Sequence, residues 1–247
     1  MRVKIQDVSI DIIALPKILE QVINWINSQK SSYHIVTLNA LMVIMSGRDQ
    51  AFKDLLTKAD LVIVDSYGIE AALHKQGLSM VPRVAGVDLA RGILAWCARS
   101  GTKIYCYGGP PDLPDRLRAA LKKQWPDLVI GGIRDGFNVN ASRKQVIAEI
   151  HSVKPGVLLV GLGVPKQEQF LAEVLPGLQG TVGIGVGGAL EIIAGWRREA
   201  PGVLRKYGWE WLFRMIQEPI RFKYLPDLVV FWLQNLISSK KRGEKDD

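Results

Sequence analysis

The stretch "ADLVIVDSYGIE", residues 59–70, decides the fold class. Leu61, Val62, Ile63 and Val64 form an apolar run without alternation, as in a strand buried on both faces. Asp65 follows directly, then Ser66, Tyr67 and Gly68. A doubly buried strand needs helices on both sides of its sheet, so the flanking chain should alternate strand and helix. Strands are expected at 34–38, 61–64, 103–108, 128–133, 157–162 and 181–186. Helical patterns lie at 17–29, 40–56, 87–99, 113–124, 141–153 and 166–175. The expected architecture is α/β, a Rossmann-like layered fold with a mostly parallel sheet.

After Gly187 the pattern changes. One helix is expected from Gly188 to near Gly195, and beyond it the sequence has no strand pattern. Pro201, Pro219 and Pro226 break this region into short helices. The chain therefore reads as a core, 1–195, and a helical appendage, 196–247, in which tryptophans alternate with Arg and Lys. Its end, "KKRGEKDD", is expected to be disordered. The run "LVVFWLQNLI" is too short to span a bilayer. Beside positive charge it suits either an anionic membrane surface or packing on the core or another subunit.

The chain has 32 basic and 24 acidic residues, a net charge of +8. That favours an anionic partner: nucleic acid, an anionic membrane surface or a phosphorylated substrate. Cys97 and Cys106 read as free buried thiols. The three histidines are scattered without metal-ligand spacing. The N-terminus carries no signal-peptide pattern, so a cytoplasmic protein is expected, soluble or peripheral to a membrane.

Ligands of open α/β sheets bind beyond the carboxyl ends of the strands. The residues placed there are Thr37 and Asn39, Asp65, Gly108 and Gly109, Arg134 to Gly136, Lys166 and Gln167, and Gly185, Gly187 and Gly188. The glycine loops bring backbone amides towards a phosphate, or they are turn chemistry alone. Asp65 reads either as a helix N-cap or as a general base that takes a proton from an attacking hydroxyl. Arg83 is a surface charge or a diphosphate clamp. Lys166 and Gln167 sit at a helix start, pointing towards the ligand edge.

"TLNA", "ADLVIVDSYGI", "PRVAGVDL", "YGGPP", "GLGVPKQE", "GVGGALEIIAG" and "GWEWLFRMIQEPIRF" occur in this order. Together they resemble the WecG/TagA/CpsF family of bacterial glycosyltransferases over nearly the whole chain. The resemblance implies sugar transfer from a UDP-sugar, N-acetylmannosamine foremost, to N-acetylglucosamine on undecaprenyl diphosphate. Products of this kind feed wall teichoic acid and other surface polymers. It implies inversion at the anomeric carbon and no metal cofactor. It also implies a membrane-docking tail at the inner face of the cell membrane, and self-association through the surface the tail later covers. Nucleic acid is not an expected partner. The resemblance makes Asp65 the base, with Thr37, Asn39 and Arg83 lining the site. Gln167, Lys166, Gly108, Gly109, Phe137, Gly185, Gly187, Gly188, Arg214 and Arg221 are carried over as substrate-binding. The sequence departs from the family pattern at Val64 and Ser66, which flank the aspartate, and at Phe137, where a tyrosine is common.

Two other readings compete. One is a nucleotide-binding regulatory module whose basic tail contacts a partner. The other is a Rossmann oxidoreductase, weakened by the missing GxGxxG fingerprint and its partner acid.

Overall fold

The computed structural model describes residues 1–138, 141–217 and 219–240, without the side chains of residues 206, 220, 221 and 234–240. Among these, eight strands form one sheet: β1 (Arg2–Ile5), β2 (Val8–Asp11), β3 (Tyr33–Leu38), β4 (Leu61–Val64), β5 (Ile104–Gly108), β6 (Ile130–Arg134), β7 (Val157–Gly161) and β8 (Val182–Gly185). Their order across the sheet is β1-β2-β4-β3-β8-β7-β5-β6. β1 pairs antiparallel with β2, and the other neighbours are parallel.

The helices of the core are α1 (Leu15–Ser28), α2 (Ala40–Ser46), α3 (Gln50–Lys58), α4 (Tyr67–Lys75), α5 (Gly86–Ser100), α6 (Leu113–Gln124), α7 (Arg143–Val153), α8 (Lys166–Val174) and α9 (Ala189–Ile193). α1, α5, α6 and α9 bury their apolar stripes on one face of the sheet, around Ile35, Ile63, Ile104 and Ile184. α2, α3, α4, α7 and α8 cover the other, around Val36, Val62, Tyr105 and Val160. Apolar residues on both faces of one strand therefore reach two separate cores, as the doubly buried reading of residues 61–64 requires.

Three features were not expected from the sequence. The first is the N-terminal hairpin, whose turn puts Gln6 and Asp7 at φ 45° and 69°. Two left-handed residues suit a two-residue hairpin, but Asn-Gly, not Gln-Asp, is its usual signal. The second is a break in the helix expected at 40–56. Gly47 ends α2, and the Asp49 side chain accepts from the Phe52 amide at 3.1 Å to start α3. The third is the position of the α4 N-cap, which falls on Ser66 and not on Asp65.

The appendage holds α10 (Gly202–Lys206), α11 (Glu210–Gln217), a 3₁₀ segment (Pro219–Tyr224) and α12 (Leu225–Lys240). It is docked on the core. Phe231 is fully buried among residues of α2 and α4, and Asp227 meets Arg48 at 2.7 Å. Val229, Val230 and Leu233 of α12 face solvent, as do Trp209, Ile216 and Phe222. Among the described residues no helix is long and apolar enough to cross a membrane. Residues 241–247, most of the end expected to be disordered, lie outside the described residues.

Candidate active site

β3 is followed by α2 on one face, and its neighbour β8 by α9 on the other. Diverging connections open a crevice at the carboxyl edge of the sheet, where such folds take ligands. Thr37 spans that point. Its buried hydroxyl donates to the Gly185 carbonyl at 2.7 Å.

Asp65 lies one strand away, at the end of β4. It does not cap α4, whose N-cap position is Ser66. Its Oδ1 instead accepts from the Gly86 amide of α5 at 2.6 Å. A methyl group on Gly86 would lie 3.6 Å from the Val186 carbonyl oxygen and 3.7 Å from both Asp65 Oδ1 and Thr37 Oγ1. Four segments thus converge on one small space with a carboxylate on its wall.

Burial pushes the Asp65 carboxyl up to about 6. The Arg214 guanidinium, the Gly86 amide and Arg83 act against burial, while Glu210 adds to it. Desolvation dominates because water, the best solvent of the charge, is largely replaced by protein. A base with this affinity for protons is ionised at neutral pH and strong enough to accept one.

Arg83 is not a free surface charge. Its guanidinium lies 3.5 Å from Glu70 and 3.5 Å from Glu210, and donates to the Arg205 carbonyl at 3.4 Å. Arg214 pairs with Glu210 at 2.6 Å. The two arginines of core and appendage are therefore brought together beside Asp65 by one carboxylate. A cavity between Gly188 and α11 is walled by Arg197, Arg198, Glu210 and Arg214. A second, open groove, lined by Ala98, Arg99 and Trp125, lies at the far ends of α5 and α6, away from this edge.

Other expected residues take different positions. Asn39 is the N-cap of α2, accepting from the Met42 amide at 3.2 Å. Gln167 is only 2% exposed, so it lies beneath the cleft rather than at its edge. Its amide donates to Glu168 at 2.7 Å and accepts from Gly187 at 3.1 Å. Lys166 is exposed beside it at the start of α8. The Gly109 amide donates to the Gly161 carbonyl at 3.3 Å, which leaves it unavailable to a phosphate. Gly108 has φ 140°, and a Cβ there would overlap the Gly161 backbone. These two glycines serve the close approach of β5 to β7. Phe137 is 72% exposed on the rim, its amide held by the buried Asp135 at 2.9 Å. Gly187 turns at φ 52° between Gly185 and Gly188. The Arg221 side chain lies outside the described residues.

Sequence reasoning missed Gly86, Glu70 and Glu210. Gly86 sits in a quoted motif, but nothing local marks it as the partner of Asp65, 21 residues earlier. Glu210 reads as an ordinary first-turn acid of a helix until that helix is placed against Arg83. Among the described residues no three His, Cys, Asp or Glu side chains gather as a metal site.

Residues 3–245 match the glycosyl transferase WecG/TagA/CpsF family. Relatives from Staphylococcus aureus strains MW2 and NCTC 8325 are each 26% identical over 219 residues, 89% of this chain and 85% of theirs. Both are named N-acetylglucosaminyldiphosphoundecaprenol N-acetyl-beta-D-mannosaminyltransferase. The match sets aside the regulatory module and the oxidoreductase. The chain is a glycosyltransferase and belongs to the WecG/TagA/CpsF family.

Proposed function

We propose that the chain transfers N-acetylmannosamine from its UDP donor to N-acetylglucosamine on undecaprenyl diphosphate, with inversion and without a metal. The observation that carries this reading is Asp65. It is a half-buried carboxylate at a strand end, fixed by Gly86 and flanked by the charges of Arg83 and Arg214. The acceptor hydroxyl gives its proton to Asp65 while its oxygen bonds to the anomeric carbon. The bond from that carbon to the UDP oxygen breaks, and UDP leaves with the electron pair. Attack opposite the leaving group inverts the centre. Arg83 and Arg214 offset the charge that grows on the diphosphate. Arg221 and Lys166 supply further positive charge, with Phe137 and the Gly185–Gly188 turn receiving the nucleoside. Thr37 holds the turn, and Asn39 sets the helix beside it.

The names of the two staphylococcal relatives, which give an N-acetylmannosaminyl group and an N-acetylglucosaminyldiphosphoundecaprenol acceptor, support the choice of transferred sugar and acceptor. A lipid-linked acceptor stays in its bilayer, and the exposed Trp209, Ile216, Phe222 and Val229 suit the interface at the inner face of the cell membrane. Self-association through this same surface, in the absence of membrane, belongs to the same reading.

The test is sugar transfer to lipid-linked N-acetylglucosamine in vesicles, with a panel of UDP-sugars and added EDTA. Turnover with UDP-N-acetylmannosamine that survives EDTA and collapses in Asp65→Asn is expected. Preference for another donor refutes the sugar assignment. Loss of turnover with EDTA refutes metal independence. Full turnover in Asp65→Asn removes Asp65 as base.

A further inference from the structure

Glu168 stands in the first turn of α8, where an acid ordinarily faces water. Here it is completely buried. Its Oε1 accepts from Gln167 Nε2 at 2.7 Å, and its Oε2 has no hydrogen-bond partner among the described residues. Placing a carboxyl group there is costly, so its location calls for a reason. The location is directly under the end of β8. A Cβ on Gly185 would come within 2.6 Å of Gln167 Nε2 and 2.8 Å of Glu168 Oε1, so only glycine admits this pair.

We propose that Glu168 is a positioning residue. Through Gln167 it holds the Gly185–Gly188 turn in the shape that receives the nucleoside diphosphate of the donor. The ligand in this inference rests on the glycosyltransferase reading above, while the prop itself rests on the geometry. A primary amide has one donor end and one acceptor end. Oε1 of Glu168 takes the donor end of Gln167. The acceptor end then faces the Gly187 amide, which donates to it at 3.1 Å. From the other side the Thr37 hydroxyl holds the Gly185 carbonyl at 2.7 Å. The turn is therefore pinned at Gly185 from β3 and at Gly187 from α8. Gly187 has a left-handed φ of 52°, which glycine reaches without strain, and its conformational freedom leaves the shape of the turn to these contacts. Burial pushes the Glu168 carboxyl up to about 7, so a protonated oxygen is available to occupy the unpartnered Oε2 position.

The experiment compares Glu168→Gln, which keeps an acceptor for Gln167, with Glu168→Met, which keeps the volume and removes it. Gly187 amide hydrogen exchange reads the prop without any ligand. UDP affinity, donor KM and kcat read its effect on the site. In Glu168→Met, exchange at Gly187 is expected to rise about tenfold, with a similar rise in UDP Kd and donor KM and a change of kcat within about twofold. Glu168→Gln is expected to match wild type in all four. A general loss of folding would instead lower apparent kcat at unchanged KM, by shrinking the active fraction, and would raise exchange across the whole chain rather than at Gly187. Gln167→Met cuts the same prop one link higher and keeps the test decisive if Glu168→Met does not fold. Unchanged UDP affinity in a folded Glu168→Met protein overturns the proposal, as does a Glu168→Gln protein as impaired as Glu168→Met. Wild-type protein that binds no UDP overturns the donor reading instead, and the Gly187 exchange pattern then still decides the prop.

Discussion

Glu210 Oε2 lies 3.5 Å from the Arg83 guanidinium, tying the appendage to the core beside the proposed base. Glu210 also raises the proton affinity of Asp65 through space, and Arg214 lowers it. Glu210→Gln is therefore expected to move the acid limb of kcat/KM to lower pH. Arg214→Gln is expected to move it to higher pH. Rate profiles of the two variants check the signs, and a limb that stays in place in both would dissociate these charges from the base.

Asp65 itself sets the position of that limb. With its carboxyl at about 6, kcat/KM is expected to fall about tenfold per unit below that pH and to level off above it. Asp65→Asn should lower kcat by roughly 100-fold or more, because it cannot accept the proton. Steady-state rates from pH 4.5 to 8 on lipid-linked acceptor provide the measurement.

Gly86→Ala should separate folding from activity. Gly86 begins α5, and an added methyl meets its neighbours at ordinary contact distances, 3.6 Å or more. Ala in a helix should leave the unfolding free energy equal or higher by about 0.5–1 kcal/mol. The methyl would nevertheless stand among Asp65, Thr37 and Val186. Urea unfolding and transfer assays on the same preparation are expected to show an intact fold with reduced kcat/KM.

The buried Glu168 gives stability a pH dependence. Its folded-state value, about 7, lies above the ordinary 4.5. Between those values the folded chain holds a proton that the unfolded chain has released. The stabilisation is complete below about 4.5 and is lost as pH rises through about 7, up to about 3 kcal/mol in all. Urea unfolding at pH 5 and pH 8 should show this loss in wild type and a smaller one in Glu168→Gln.

Docking of α12 hangs on Phe231. Truncation to alanine removes a ring buried against α2 and α4, near Gly68 and Ala40. A loss of about 3–5 kcal/mol is expected by urea unfolding. If Phe231→Ala unfolds like wild type, α12 contributes little to the fold.

Residues 61–64 are apolar at every position, and that determined a strand between two helical layers before any contact was known. Six strands and the short helices after Gly195 were legible for the same reason, because periodicity and proline act within a few residues. The ordered motifs, through the family resemblance, likewise singled out Asp65, Thr37, Arg83 and Arg214 as candidates. Local pattern could not pair Asp65 with the Gly86 amide or place Glu210 between two arginines. It also could not show that Gln167 and Glu168 turn inward. Each depends on segments tens of residues apart meeting at one sheet edge, and burial and charge acquire their effect only at that meeting. The hairpin at Gln6–Asp7 was missed for the opposite reason, since its left-handed turn uses residues with little intrinsic preference for it.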